Sequence, residues 1–314
     1  MVTIEEAVSE VRDGDVLFLG SLIESRRPMA AAYELVRQGR KGLILLAELS
    51  LAEDVLVLAG AVAGWRGCYT GMANFGLSPA ALRAIEAGEL IVDDIGHIDI
   101  ILGGLAAMAG SPFVATRTTL GSDVLNPAYS RTTAVRALAR DPEMIPREKF
   151  RLMDDPFYGQ GLVKLQPAMP ADVAIIHCQI AGDEGTGRIE GSLAFDHYFI
   201  HAARKVIITA EQVVPEEYLR REPNRNQIPC TSVDLVVEIP WGAHPSQVQG
   251  FYDVDIPFIR TYAEAARTVE GGINWLEEWV HGVGDRNAYL DKLGATRLWR
   301  LRAIPPYGYR PRGH

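Results

Sequence analysis

Between Pro170 and Gly191 a short apolar run, Val173 to Ile176, is bounded by polar groups and opens into a segment holding Gly182, Gly185, Gly187 and Gly191. Apolar residues without alternation suit a strand covered on both faces, as in a parallel sheet. Glycines lack the side chain that keeps other groups away from the backbone, so they let backbone come close to a neighbour or a ligand. Open α/β sheets bind ligands outside the carboxyl ends of their strands. The segment therefore predicts a buried strand with a ligand-side loop, and sets the frame for the whole chain.

The remaining pattern agrees. Thr3 suits an N-cap, with Glu5 and Glu6 in the first turn of a helix ending near Arg12. A strand follows at Val16–Leu19, then a loop at Gly20–Arg27. Pro28 opens a helix running to about Gln38. Strand and helix then alternate: strands near 43–47, 67–70, 90–92 and 113–116, with helices near 52–61 and 79–87 and another from about Ile95. Further strands are expected near Arg151, Val163, Val206–Ala210 and Leu235–Ile239, and helices near 194–203, 257–267 and 273–280. The expected fold is α/β, a mostly parallel open sheet covered by helices on both faces. It forms one domain, 1–314, with a smaller C-terminal lobe possible from about 240. Pro305–His314 reads as irregular.

Composition narrows the function. The net charge of −9 argues against a nucleic-acid partner, whose binders carry a basic face. It also leaves an anionic ligand to local dipoles and a few arginines. No stretch approaches the roughly 18 uncharged apolar residues of a membrane span. The start, Met-Val-Thr-Ile-Glu-Glu, carries no signal-peptide pattern. Cys68, Cys178 and Cys230 are odd in number and far apart, as in a reduced, cytoplasmic protein. No spacing suggests a metal site. There is no Gly-x-Ser-x-Gly elbow, no P-loop and no Gly-x-Gly-x-x-Gly after the first strand, which disfavours nucleotide and nicotinamide chemistry.

Five motifs carry a resemblance. They are Ser25-Arg26-Arg27-Pro28, Cys68-Tyr69-Thr70, Ala171–His177, Gly242-Ala243-His244-Pro245-Ser246 and Tyr289–Arg297. In this order and spacing the chain resembles the A-type subunits of family I CoA-transferases, in their glutaconate branch. The resemblance implies a two-chain enzyme that moves CoA between an acyl-CoA and a carboxylic acid, a dicarboxylic one in this branch. Coenzyme A is then a substrate, and no cofactor is permanently bound. The attacking glutamate belongs to the partner B-type chain, so none of this chain's residues is expected to be the nucleophile. The resemblance also implies that backbone N–H groups of Gly20, Ser21 and Leu22 help hold the thioester oxygen. Ser21 and Leu22 stand where the family has Gly-Gly or Gly-Phe, and a positive φ there would be strained.

Each remaining residue has two readings. Arg26 and Arg27, at a helix start, could clamp a substrate carboxylate; otherwise one is solvent-exposed and the other pairs with Glu24. Glu48, after the second strand, is the nucleophile if the chain acts alone, a buried acid of raised pKa, or a strand-end charge in an ion pair. Near Asp93, Asp94 and Asp99, His97 takes the place of a glutamate found in a hydrolase branch acting on ring-opened steroid CoA thioesters. It would be a general base for water there, or part of a capped helix start. Asn74 and Ser78 belong to a pocket loop or to a helix cap, as do Gly121 and Ser122. His177, at the strand tip, reads as a core histidine. Two alternatives to transfer stay open: hydrolysis or decarboxylation of a CoA thioester on the same scaffold, and a non-catalytic homo-oligomer that binds acyl-CoA or a carboxylate.

Overall fold

The computed structural model describes residues 1–310. The first half of the main sheet builds outward from its centre. In chain order, α1 (Ile4–Ser9), β1 (Val16–Leu19), α2 (Met29–Arg37), β2 (Leu43–Leu49), α3 (Leu51–Leu58), β3 (Val62–Thr70), α4 (Pro79–Glu86) and β4 (Ile91–Asp94) lay four parallel strands side by side. The chain then leaves the sheet through α5 (His97–Met108), β5 (Phe113–Thr116), α6 (Thr132–Leu138), β6 (Arg151–Asp154) and β7 (Leu162–Pro167). It returns on the other side of β1 with β8 (Ala171–Gly182), followed by β9 (Gly187–Arg188), α7 (Asp196–Ala202), β10 (Ala203–Val214), α8 (Glu216–Arg220) and β11 (Leu235–Glu238). Helices α9 (Ile256–Ala265), α10 (Val269–Leu276), α11 (Arg286–Leu293) and α12 (Ala295–Leu301) complete it. The strand order is β11-β10-β8-β1-β2-β3-β4, all parallel, with β9 antiparallel on β8.

The period of two explains why these strands are apolar throughout. Leu17, Leu19, Leu43, Leu45, Val173 and Ile175 face one core, shared with α2, α3 and the later helices through Phe258, Tyr262 and Trp275. Val16, Phe18, Ile44, Leu46, Ala174 and Ile176 face the other, with Ile100 of α5, Val135 of α6 and Phe199 of α7. Local signals set the helix ends. Thr3 accepts from Glu6 N and Glu6 reaches back to Thr3 N, the capping box that starts α1.

Two expectations need correction. The strands at 113–116, near 151 and near 163 do not join the parallel sheet; they form a separate antiparallel sheet, β5-β7-β6. Their short apolar runs carry no information about direction. The strand at 173 does not end before the glycines. It runs to Gly182, and Gly182–Gly187 closes a hairpin against the chain itself. A Cβ on Gly182 would meet the Glu216 carboxylate, and one on Gly187 would meet Ile228. His177 is therefore interior to a strand. Of the irregular tail expected at Pro305–His314, residues 305–310 form turns closed by an Ile304–Tyr309 bridge, and the last four lie outside the described residues.

Candidate active site

The switch in strand order falls between β1 and β8, and the carboxyl end of β1 feeds the loop Gly20–Arg27 there. This is where an open α/β sheet forms its ligand crevice. The loop is strained. Of eight non-glycine residues with positive φ among the described residues, four gather here: Ser21 (87°), Ile23 (48°), Arg26 (50°) and Ala47 (84°). Such conformations persist only where surrounding bonds enforce them, and they concentrate at functional sites.

The enforcing bonds come from buried charge. Asp196, at the start of α7, accepts the Ser21 N–H at 2.5 Å and Arg26 Nη2 at 3.0 Å. Arg26 also donates to the carbonyls of His177 (2.7 Å) and Ser192 (2.6 Å). Gly20 lies so close that a Cβ would stand 2.9 Å from both Asp196 and Ile176. Arg27 spends all three nitrogens: on Ile23 O, on Leu19 O with Glu53, and on Glu48. Glu48 accepts the Ile23 N–H as well, at 3.1 Å.

Three carboxylates thus surround one guanidinium. Glu24 is the least satisfied, with only Ser50 Oγ at 3.4 Å and one buried oxygen unpartnered. Burial pushes its carboxyl up to about 7, and raises Glu53 too.

The direct substrate contacts expected of Arg26 and Arg27 meet a different arrangement. Both are buried, at 0% and 1% exposure, and bonded within the chain. Neither alternative for them holds either: neither is solvent-exposed, and the ion-pair partners of Arg27 are Glu48 and Glu53. Glu48 is the last-but-one residue of β2, not a residue after it, and sits in an ion pair with Arg27.

The start of α5 brings a histidine and a thiol to the same end of the sheet. His97 is exposed at the start of α5, its ring 4.9 Å from Phe195, next to Asp196. Its Nδ1 lies 3.4 Å from the half-buried Cys68 Sγ. Burial and the nearby Glu48 push that thiol up to about 12, so it is no ready nucleophile. Cys68 faces the break in register between Ala47 and Glu48, a bulge that re-aims side chains at the strand end. The remaining predicted residues scatter. Ser78 is buried and donates to Leu49 O at 3.2 Å, while Asn74 is exposed on the turn after β3. Gly121 and Ser122 line a cavity of about 670 Å³ beside the small sheet. Another cavity, about 680 Å³ between α1 and the end of β11, holds none of the predicted residues. His177 is fully buried, bonded to Thr209 and Glu211.

Sequence reasoning missed Asp196, whose partners are 170 and more residues away, and the Cys68–His97 pairing. Arg117, just after β5 in a run of threonines, lines the same cavity as Ser122.

Comparison with known proteins fixes the family. The Coenzyme A transferase family model matches residues 1–239. The chain belongs to that family. It is similar to the A chain of glutaconate CoA-transferase from Acidaminococcus fermentans, 37% identical over 98% of this chain and 96% of that one. The crystal structure of glutaconate coenzyme A-transferase from that organism superposes with a TM-score of 0.92 at 36% identity, covering 99% of this chain and 98% of that one. The crystal structure of a variant of the decarboxylase AibA/AibB gives 0.72 at 27% identity over 88% and 97%. The cholesterol ring-cleaving hydrolase IpdA subunit of Rhodococcus jostii is 28% identical over 90% and 93%. This chain is thus an A-type subunit on a scaffold of the Coenzyme A transferase family. Among its described residues no helix is long and apolar enough to cross a membrane.

Proposed function

We propose that this chain is one half of a two-chain CoA-transferase that moves CoA between an acyl-CoA and a carboxylic acid of the dicarboxylic kind. A B-type partner supplies the attacking glutamate, and this chain supplies the strained loop at Gly20–Leu22 and the walls of the acyl cleft. The observation that carries the reading is the loop at the β1/β8 switch point, held rigid by Asp196, Glu48 and Arg27, in a chain similar along its length to the A-type half of a glutaconate CoA-transferase.

In this reading the partner's carboxylate oxygen attacks the thioester carbonyl. A C–O bond forms, the C–S bond breaks, and CoA leaves as thiolate with an acyl-glutamyl anhydride behind. The thiolate attacks the glutamyl carbonyl and releases the free acid, leaving a glutamyl-CoA thioester. The incoming acid reverses these steps. Backbone N–H groups of the loop stabilise oxyanion character; losing one such donor typically costs about 3 kcal/mol of transition-state stabilisation. The Gly20 N–H is taken by the Ile175 carbonyl, the Ser21 N–H by Asp196 and the Ile23 N–H by Glu48, which leaves Leu22, paired only in an isolated bridge with Ser25, as the donor we assign. We place the protein in the cytoplasm, consistent with three free thiols, and treat the chain as one domain.

A second reading is favoured by one observation. His97 stands exposed at the rim, against Phe195 and Cys68, where an imidazole could activate water for thioester hydrolysis. Assays of this chain alone, its B-type partner alone and the reconstituted pair separate the readings. Transfer expects activity only in the pair and only with an acceptor acid. Release of free CoA without an acceptor, abolished by His97→Ala, would establish hydrolysis.

A further inference from the structure

Arg26 and Arg27, the cations expected to read a substrate carboxylate, are both committed to the loop. The cavity beside β5-β7-β6 holds a guanidinium in a different state. Resting on the transferase reading, we propose that this cavity is the subsite for the distal carboxylate of a dicarboxylic acyl group, with Arg117 as its cation.

Arg117 follows β5, and its side chain is 47% exposed. One nitrogen, Nη2, pairs with Asp155. That carboxylate is itself occupied: it accepts the Phe157 and Tyr158 N–H groups, each at 3.0 Å, and these backbone bonds hold it below the usual carboxylate range. Asp155 thus fixes the guanidinium at one end. Nε and Nη1 have no acceptor among the described residues, and they are left to meet a carboxylate with charge-assisted bonds.

Other donors share the cavity. The Ser122 hydroxyl and the Gln160 amide make no hydrogen bond among the described residues. Asn126 uses only its oxygen, on Ala128 N, leaving its NH₂ open. Leu125 and Leu152 supply apolar wall. One cation, several neutral donors and an aliphatic lining suit an acid carried on a short carbon chain. The neighbouring cation offers a contrast: Lys164 is buried and bonded to Asp99 and Thr119. The cavity lies on a segment that reaches the start of α5. Leu120 and Gly121 follow Thr119, which packs against Gly96 at the start of α5, one residue before His97.

The test uses the reconstituted two-chain enzyme and two acceptor acids of similar length, glutarate and butyrate. Arg117→Gln should raise KM for glutarate by about 10- to 100-fold, the loss expected for a charge-assisted pair, with butyrate unchanged within about twofold. Arg117→Lys should recover part of the loss. Calorimetric titration of the two acids into the complex, without acyl-CoA, gives a readout independent of turnover: glutarate binding should weaken in Arg117→Gln and butyrate binding should not. A complex that fails to transfer CoA but keeps this difference overturns the transferase reading and leaves the subsite standing. Equal effects on both acids, or no effect on either, overturn the subsite. A rise in KM for acyl-CoA regardless of acyl group would mean that the cavity holds a phosphate of CoA, and overturns it too.

Discussion

The loop after β1 and the cavity beside the small antiparallel sheet both contain arginine, and use it in opposite ways. In the loop, Arg26 and Arg27 are buried and surrounded by acceptors from β8, α3, β2 and the start of α7. In the cavity, Arg117 is tied at one end and open at the other. A guanidinium that holds strained backbone has little left for a ligand: every nitrogen of Arg27 is bonded, and Arg26 keeps only a buried Nε without a partner. The comparison teaches that a cation's burial and remaining donors, more than its place near a helix start, decide whether it shapes a site or reads a substrate.

Removing a partner inside the loop network should have the largest effect. Asp196→Ala strands Arg26 as a buried unpaired charge and frees the Ser21 N–H, and should cost about 3–5 kcal/mol in urea unfolding, with loss of any loop-dependent activity. Survival of both stability and turnover would show that the loop does not depend on this network.

The proton on Glu24 comes next. Its carboxyl is pushed up to about 7 in the folded chain, against an ordinary value of 4.5, so the folded state binds more protons between those values. Stability therefore falls as pH rises from about 4.5 to about 7, by at most about 3 kcal/mol, and stays low above that. Glu24→Gln should flatten that slope and be the more stable variant at pH 8. Unfolding curves at pH 5 and 8 check the sign; an unchanged slope removes Glu24 from the account.

Tyr262→Phe probes a buried carboxyl outside both regions. Tyr262 donates to Asp54 at 2.7 Å, and burial raises Asp54 to about 6. The lost bond should cost about 1–2 kcal/mol in the same measurement and leave turnover unchanged. Smallest is Ser122→Ala, an exposed change in the cavity, expected within about 0.5 kcal/mol of the parent and visible only as a modest rise in KM for the dicarboxylic acid. A large stability loss there would mean that the cavity is structural after all.

Much of the frame was legible. Val16–Leu19 and Phe113–Thr116 were placed as strands with the bounds observed, because turn residues bracket short apolar runs. The parallel sheet followed from strands without alternation. The small antiparallel sheet was not legible: β6, Arg-Leu-Met-Asp, is exposed throughout and has no covering to leave a pattern. Turn chemistry made the loops at Gly20 and at Ser122 legible as loops, and their roles remain proposals. The fate of Arg26 was not legible, since its acceptors arrive from residues 177, 192 and 196. Charge shows in a sequence; the partner that neutralises it does not when the fold brings it from the far half of the chain.

The most direct test is where the covalent intermediate forms. The pair of chains is incubated with acyl-CoA and no acceptor acid, trapped with hydroxylamine or borohydride, digested, and mapped by mass spectrometry. The account predicts a single modified glutamate, on the B-type chain, with every peptide of this chain unchanged. A modified Glu48, formed by this chain with or without its partner, would contradict it.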